Sequence, residues 1–166
     1  YTALKLAERL PALTHVARTD DDAFVHVPNL LVEISALPRG TPYVCYGWLA
    51  FSGYNPRRYR KCGWAWKREA SIARYKDYNC AGRGAHPPVP APLGPLQVLS
   101  LELVRELLAL PSLHGFLSHA TGPSGRNINR IGEEAVSEDI LLGFWLGRLR
   151  HINVTYVNSN SARDAR

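Results

Sequence analysis

The sequence predicts an α/β domain in which a mixed sheet is flanked by helices. Helical and strand-like segments alternate over residues 1–51, an apolar strand pattern runs directly into a helical pattern over residues 96–110, and a further apolar helix precedes an alternating segment at residues 151–157. Strands that alternate with helices are typical of a sheet covered by helices.

Length and composition indicate one globular domain. Of the 166 residues, 46% are hydrophobic and 20% are charged, which is enough to form a core. No apolar run reaches the roughly 18 residues that a membrane-spanning helix needs. The chain begins with Tyr1, has no Met and enters directly into a helical pattern. We therefore expect it to be part of a longer protein, with residues 1–157 in the domain and residues 158–166 as a polar tail.

Three elements are predicted in the first third of the chain, besides a short strand around Val16. Leucines at helical spacing predict an amphipathic helix over residues 1–10, which Pro11 ends. A second helix is predicted from Pro28, since proline is favoured in the first turn of a helix. Residues 43–51, Y-V-C-Y-G-W-L-A-F, are aromatic and β-branched and predict a strand buried on both faces.

The middle of the chain is predicted to be a long loop over residues 53–95, where aromatic and basic residues precede a run rich in Pro and Gly. Long loops in compact domains are often functional, and exposed aromatic rings suit the faces of sugars. Trp64 and Trp66 are therefore candidate substrate contacts. An equally good explanation is that they anchor the loop to the core.

The last third of the chain predicts two helices and a strand. Residues 96–110 read as a short strand followed by a helix that Ser100 caps, and residues 111–132 as a loop. Ser137 is predicted to cap a buried helix. The final strand is predicted at residues 151–157.

The acidic triplet Asp20, Asp21 and Asp22 follows a strand-like segment, and folding alone does not require it. If the chain stays extended, Asp20 and Asp22 point to one side and Asp21 to the other. Two converging carboxylates repel each other, and a hard divalent cation such as Mn²⁺ or Mg²⁺ removes that cost. A solvated acidic turn explains the triplet as well as a metal site does.

The formal net charge of +6 comes largely from two basic clusters, at residues 57–61 and 148–166. Such clusters can bind phosphates or an acidic surface. They match no nucleic-acid-binding motif, and the acidic triplet would repel a phosphate backbone. We therefore predict no nucleic-acid partner and interpret the clusters as solvated faces.

No two of the three cysteines form a CxxC pair, and no histidines follow them at the spacing of a zinc site. Cys62 and Cys80 flank one polar, aromatic segment and could form a disulfide in an oxidising compartment, and Cys45 is predicted to be a buried thiol. The segment Asn153-Val154-Thr155 satisfies the N-glycosylation pattern. Together these features favour the secretory pathway.

Three stretches in fixed order resemble one protein family: R-T-D-D-D-A-F-V-H-V-P-N-L-L at residues 18–31, G-P-L-Q-V-L-S at residues 94–100 and S-E-D-I-L-L-G at residues 137–143. They are similar to the β-1,3-galactosyltransferase family, which includes β-1,3-N-acetylglucosaminyltransferases and, more distantly, the Fringe enzymes. The resemblance implies that residues 1–157 are the C-terminal portion of a GT-A type, Rossmann-like glycosyltransferase domain.

The resemblance also implies an activity, namely the inverting, metal-dependent transfer of galactose or N-acetylglucosamine from a UDP-sugar donor to a glycan acceptor. Asp20 to Asp22 would bind the nucleotide and Mn²⁺ or Mg²⁺, with Asp22 and then Asp20 as the metal ligands. Asp139 would be the catalytic base, supported by Glu138. Acids in a first helical turn also have a structural reason, because the helix dipole favours them there. Gly94 would border the substrate, together with Trp64 and Trp66.

The chain departs from the family pattern in three ways. The family's nucleotide-binding segment is expected upstream of Tyr1, together with a membrane anchor that would hold the full-length protein in the Golgi lumen. His151 is not a secure counterpart of the family's metal-ligating histidine. Leu96-Gln97 replaces an aromatic residue, which leaves the donor sugar and the acceptor open.

Two other functions remain open from the sequence. The first is a non-catalytic carbohydrate-binding protein or pseudo-glycosyltransferase, which the missing nucleotide-binding half favours. The second is a metal-dependent phosphotransferase or nuclease built on the acidic triplet and the basic clusters. The sequence makes no prediction about the oligomeric state.

Overall fold

A computed structural model describes part of the chain: residues 10, 12–38, 40–55, 60–65, 86–121 and 138–159. Only the backbone is described at residues 54–55, 60–65, 86–87, 117–121 and 138. The predictions of a helix over residues 1–10, of a cap at Ser137 and of a tail from residue 160 onward lie outside the described residues. The predicted disulfide does as well, because Cys80 is not among them.

The described part of the chain forms helices and strands in mixed order. They are β1 His15–Thr19, α1 Val27–Ser35, β2 Val44–Asn55, β3 Arg60–Ala65, β4 His86–Ser100, α2 Leu101–Leu108, α3 Pro111–Thr121, α4 Glu138–Leu146 and β5 Thr155–Asn158. This arrangement confirms the predicted α/β class. None of the described helices combines the length and the apolar character that crossing a bilayer requires.

The five strands form one mixed sheet with β2 at its centre. The order is β1-β4-β2-β3, and β5 also pairs with β2. Strand β4 runs antiparallel along one edge of β2, whereas β5 and β3 share the other edge. Among the described strands, only the β2–β5 pair, over Val44 to Gly47, is parallel. Strand β1 continues the sheet beyond β4, so its end, next to the acidic triplet, lies beside the last third of β4.

Helices cover both faces of the sheet because successive side chains of β2 and β4 point to opposite faces. Cys45 and Leu99 face the main core, which helices α2 and α4 complete with residues such as Leu103 and Phe144. On the other face, Tyr46 and its neighbours pack against α1. The described structure thus places α1 opposite α2 and α4.

Cys45 is fully buried in the main core and is a free cysteine, as predicted. Burial raises the pKa of its thiol to about 12. The thiolate is the reactive form of cysteine, so this side chain is inert near neutral pH and acts as an apolar core residue.

The prediction of a loop over residues 53–95 was wrong at three places: β2 continues to Asn55, residues 60–65 form β3, and the Pro-rich residues 86–95 belong to the 15-residue strand β4. Pro88, Pro90 and Pro92 occur at every second position, so all three direct their missing N–H groups to the same edge of the strand. Strand β1 pairs with β4 only from Leu96 onward, so within the described residues that edge is open where the prolines lie. The N–H groups between them remain available to pair with β2.

Two further boundaries differ from the predictions. The loop predicted from residue 111 is the helix α3 up to Thr121, and proline at its first position is compatible with helix initiation. The final strand begins at Thr155 rather than at residue 151. Turns continue after α4 up to Ile152, whose N–H donates to Leu149 O, and only then does the Thr155 N–H bond to Tyr43 O at 2.7 Å.

Ser100 joins β4, α2 and the start of β2, and its replacement by Ala is expected to be destabilising. Its Oγ caps α2 by accepting from Leu103 N at 3.4 Å, accepts from Val44 N at 3.0 Å and donates to Pro42 O at 2.6 Å. Removing it deletes a cap and leaves a buried N–H unsatisfied, so we expect Ser100→Ala to lower the free energy of unfolding by roughly 1–3 kcal/mol.

Chemical denaturation monitored by circular dichroism measures this loss. The matched control is Ser112→Ala in α3, where the serine is exposed. Equal stability of the two variants would show that the Ser100 hydroxyl does not join these elements.

Candidate functional site

The acidic triplet begins where β1 ends. Ala23 N–H donates to Asp20 O at 3.2 Å, so residues 20–23 form a turn with Asp21 and Asp22 at its centre. The expectation that Asp20 and Asp22 share one side of an extended chain was therefore wrong. Aspartate favours turns because its short side chain can bond to nearby backbone N–H groups.

Two hydrogen bonds to one carbonyl hold the start of this turn against β4. Thr19 Oγ1 donates to Pro95 O at 2.7 Å, and Asp20 N–H donates to the same oxygen at 3.4 Å. The acidic turn is thereby fixed beside residues 94–96, which lie in the second stretch that resembles the glycosyltransferase family.

Residues 94–96 leave the ladder between β4 and β2. Trp48 pairs with Leu93 and Gly47 with Gln97, so three residues of β4 are inserted opposite one step of β2. Bulges of this kind re-aim the chain and are frequent beside active sites. Gly47 permits the close approach, since a Cβ there would lie 2.7 Å from Leu96 O.

Gly94 has a φ of 68°, in the left-handed region, and Gly94→Ala is expected to cost about 1–2 kcal/mol of stability. The loss would come from backbone strain, because an added Cβ would meet Trp48 Cε3 at an ordinary 3.8 Å. Thermal unfolding measures it. The control is Gly115→Ala in α3, where an added Cβ meets nothing within 4 Å; it should be neutral or stabilising. A similar gain for Gly94→Ala would contradict the strain argument.

Asp139, in the first turn of α4, is anchored by donors from β1 and β4. Its Oδ1 accepts from Arg18 Nη1 at 3.3 Å and from Gln97 Nε2, and its Oδ2 accepts from Gly94 N–H at 3.4 Å. The side chain is 17% exposed. The carboxylate is thus held at the junction of three elements and still reaches solvent.

Arg18 connects Asp139 to the acidic triplet. Its Nη2 lies 3.3 Å from Asp20 Oδ1, and its Nη1 lies 3.3 Å from Asp139 Oδ1. Because both nitrogen atoms belong to one compact guanidinium, the Oδ1 atoms of Asp20 and Asp139 lie within about 9 Å of each other. Arg18 and Asp139 are 121 positions apart in the chain. The three stretches that resemble the glycosyltransferase family, residues 18–31, 94–100 and 137–143, therefore meet at one end of the sheet.

The chemistry of the triplet suits a hard cation, because carboxylate oxygens are the ligands that Mn²⁺ and Mg²⁺ prefer. Within the described residues, no three His, Cys, Asp or Glu side chains come together as a metal-binding group. A cation at the triplet would therefore need further oxygen ligands, such as those of a diphosphate. His151 lies elsewhere in the fold, with its Nε2 2.8 Å from Glu106 Oε2 on α2.

The predicted substrate residues have different outcomes. Gly94 contacts Asp139 through its N–H. The backbone of Trp64 pairs with Ser52 in the sheet, but the side chains of Trp64 and Glu138, and all of Trp66, lie outside the described residues. The resemblance also implies that the Asp22 and Asp139 carboxylates lie across one cleft, about 8–12 Å apart, and this separation stays a prediction.

Arg18, Gln97 and Trp48 lie beside the site and were not among the residues predicted for it. Trp48 lies in the strand that was predicted to be buried on both faces, but 37% of it is exposed. It pairs with Leu93, next to the bulge, and its ring lies close to Gly94. Only the pairing of the strands reveals this position, since the pattern of residues 43–51 is apolar throughout. Trp48 is therefore an additional candidate for contact with a sugar ring.

Comparisons with protein-family models, with curated proteins and with solved structures give no match for this chain. The resemblance to β-1,3-galactosyltransferases accordingly depends on the three short stretches of sequence.

Proposed function

We propose that this chain is the C-terminal catalytic portion of an inverting, metal-dependent hexosyltransferase. The GT-A type domain would transfer galactose or N-acetylglucosamine from a UDP-sugar to a glycan hydroxyl. The observation that carries the proposal is the pair of salt bridges by which Arg18 joins Asp20 to Asp139. This contact brings the acidic turn and the predicted base to one place, as a transfer between a nucleotide-bound donor and an acceptor requires.

In the proposed reaction, the oxygen of an acceptor hydroxyl attacks the anomeric carbon from the face opposite the diphosphate. A new C–O bond forms, the bond between the anomeric carbon and the diphosphate oxygen breaks, and its electron pair leaves with UDP. The proton of the hydroxyl passes to the carboxylate of Asp139, which acts as the general base. The exposed fraction of this side chain, 17%, leaves a route by which a hydroxyl can approach.

The acidic turn would hold the donor's diphosphate. Asp22 and Asp20 would hold Mn²⁺ or Mg²⁺, which when bound neutralises negative charge on the leaving diphosphate. Asp20 also contacts Arg18, so a fixed positive charge lies beside the turn. Trp48, whose ring lies close to Gly94, would pack against a sugar ring.

A second candidate function is supported by the same contacts of Asp139. Arg18, Gln97 and Gly94 donate to this carboxylate. A purely structural role, in which the network attaches α4 to β1 and β4, explains the same contacts. In that case the protein is a non-catalytic carbohydrate-binding or pseudo-glycosyltransferase protein, and Trp48 contributes to glycan binding without the acidic turn.

A titration of the full-length protein with UDP, with and without Mn²⁺, distinguishes these functions. Binding of UDP that depends on Mn²⁺, together with sugar transfer, supports the transferase. Glycan binding without UDP binding supports the second candidate, and hydrolysis of phosphate esters would indicate a phosphotransferase or nuclease. For the transferase we further propose a Golgi location, with attachment to the membrane through an N-terminal anchor.

A further inference from the structure

Gln97 is a polar residue in an apolar part of β4, and it is almost completely buried, with 4% exposed. The flanking sequence, L-Q-V-L-S, is otherwise that of a core strand. A buried amide costs stability unless its hydrogen bonds are satisfied. Its presence at the junction of β1 and β4, where it pairs with Arg18, therefore requires a reason.

The amide of Gln97 has partners for both of its ends. Its Nε2 donates to Pro92 O at 2.8 Å and to Asp139 Oδ1, and its Oε1 lies 3.5 Å from the donor Arg18 Nη1. Reversing the amide would place its oxygen against two acceptors and its NH₂ group against a cation. The orientation is therefore determined by its neighbours.

Arg18 and Gln97 together form a clamp on one oxygen of Asp139. Both donate to Oδ1, Arg18 with a charge and Gln97 without one. They approach from two strands, and they are themselves joined by a hydrogen bond. Such a pair limits the rotation of the carboxylate about its side-chain bonds, because turning it would break both hydrogen bonds.

We infer that Arg18 and Gln97 are positioning residues that orient the Asp139 carboxylate toward the acceptor hydroxyl. This inference rests on the proposed function. Gln97 acts through Asp139, so its loss affects the transfer step and not the binding of the donor. Arg18 also contacts Asp20, and its loss affects both.

The test is a double-mutant cycle in the full-length protein. Gln97→Met keeps the length of the side chain and removes its hydrogen bonds. We expect it to lower kcat about 10- to 100-fold with little change in the KM for the UDP-sugar, because displacement of a catalytic group by about 1 Å has effects of that size. In the Asp139→Asn background, the same change should have less than about a twofold effect, since the residue through which it acts is gone.

Arg18→Ala provides a second route to the same test. Its side chain is 44% exposed, so its removal should leave the fold intact if Gln97→Met does not fold. In the Asp139→Asn background, Arg18→Ala should therefore lower kcat by a smaller factor than it does in the wild type, because the part of its effect that acts through Asp139 is lost. Ser52→Ala, at another buried polar position, and Arg105→Ala, at an exposed arginine of α2, are the controls and should leave kcat unchanged.

The outcomes separate the inference from the function on which it rests. Normal turnover by Asp139→Asn alone would overturn the assignment of the base and the clamp with it. A different result would overturn the clamp alone. In it, Asp139→Asn greatly lowers kcat, and adding Gln97→Met lowers kcat again by the same factor as in the wild type. A fall in donor affinity in Gln97→Met equal to its fall in kcat would do the same, because it indicates a general structural role.

A measurement without turnover completes the test. The Gly94 N–H donates to Asp139 Oδ2, so its amide resonance in a ¹⁵N–¹H spectrum reports the position of the carboxylate. Gln97→Met should move this resonance, and Ser52→Ala should not. An unmoved Gly94 resonance in Gln97→Met would show that the clamp does not set the position of Asp139.

Discussion

Asp139→Asn in the full-length protein is expected to keep UDP binding and to lower turnover by a factor of about 10² to 10⁴, the usual contribution of a general base. Asparagine preserves the shape of the side chain and removes its capacity to take up a proton. Transfer from radiolabelled UDP-galactose and UDP-N-acetylglucosamine to glycan acceptors measures the change. Titration with UDP and Mn²⁺ shows whether the donor site is intact.

The same substitution also alters the contacts that hold α4 in place. The asparagine oxygen can still accept from Arg18 and Gln97, but its NH₂ group would oppose the Gly94 N–H. We therefore expect a loss of stability of about 1–3 kcal/mol, which thermal unfolding measures separately. The control is Glu106→Gln, which removes a carboxylate that pairs with His151 away from the site. Near-normal transfer by Asp139→Asn would defeat the assignment of the base.

Asp22→Ala is expected to abolish UDP binding that depends on Mn²⁺ while leaving stability almost unchanged. Asp22 is exposed at the centre of a turn, and substitutions at such positions usually change the free energy of unfolding by less than about 0.5 kcal/mol. Calorimetric titration with UDP, with and without Mn²⁺, measures the binding. Asp20→Ala should weaken binding less severely.

The matched control for Asp22→Ala is Glu102→Ala, which removes an exposed carboxylate from the first turn of α2. Its affinity for UDP should equal that of the wild type. If Asp22→Ala binds UDP and metal as the wild type does, the acidic turn is not the nucleotide site, and the solvated-turn interpretation of the triplet holds.

Residue patterns were sufficient to predict the elements that form the core. Helix α1 was identified from its early proline and apolar spacing, β2 from its continuous apolar run and α2 from the serine that caps it. In each case the pattern within one segment matches the period or the cap of the element. The Pro-rich part of β4 was missed because proline disfavours strands locally, and it is acceptable there because no other described strand pairs with the outer edge of residues 86–95.

The sequence by itself determined which carboxylates are candidates for chemistry, namely the triplet that follows β1 and the acids that begin α4. Only the tertiary structure decided that Arg18 joins Asp20 to Asp139 and that Gln97 and Gly94 bind the same carboxylate. The register of β1 against β4 places Arg18 beside Gln97, and the bulge at residues 94–96 turns a backbone N–H toward α4. These contacts join residues far apart in the chain, so no local period or cap encodes them.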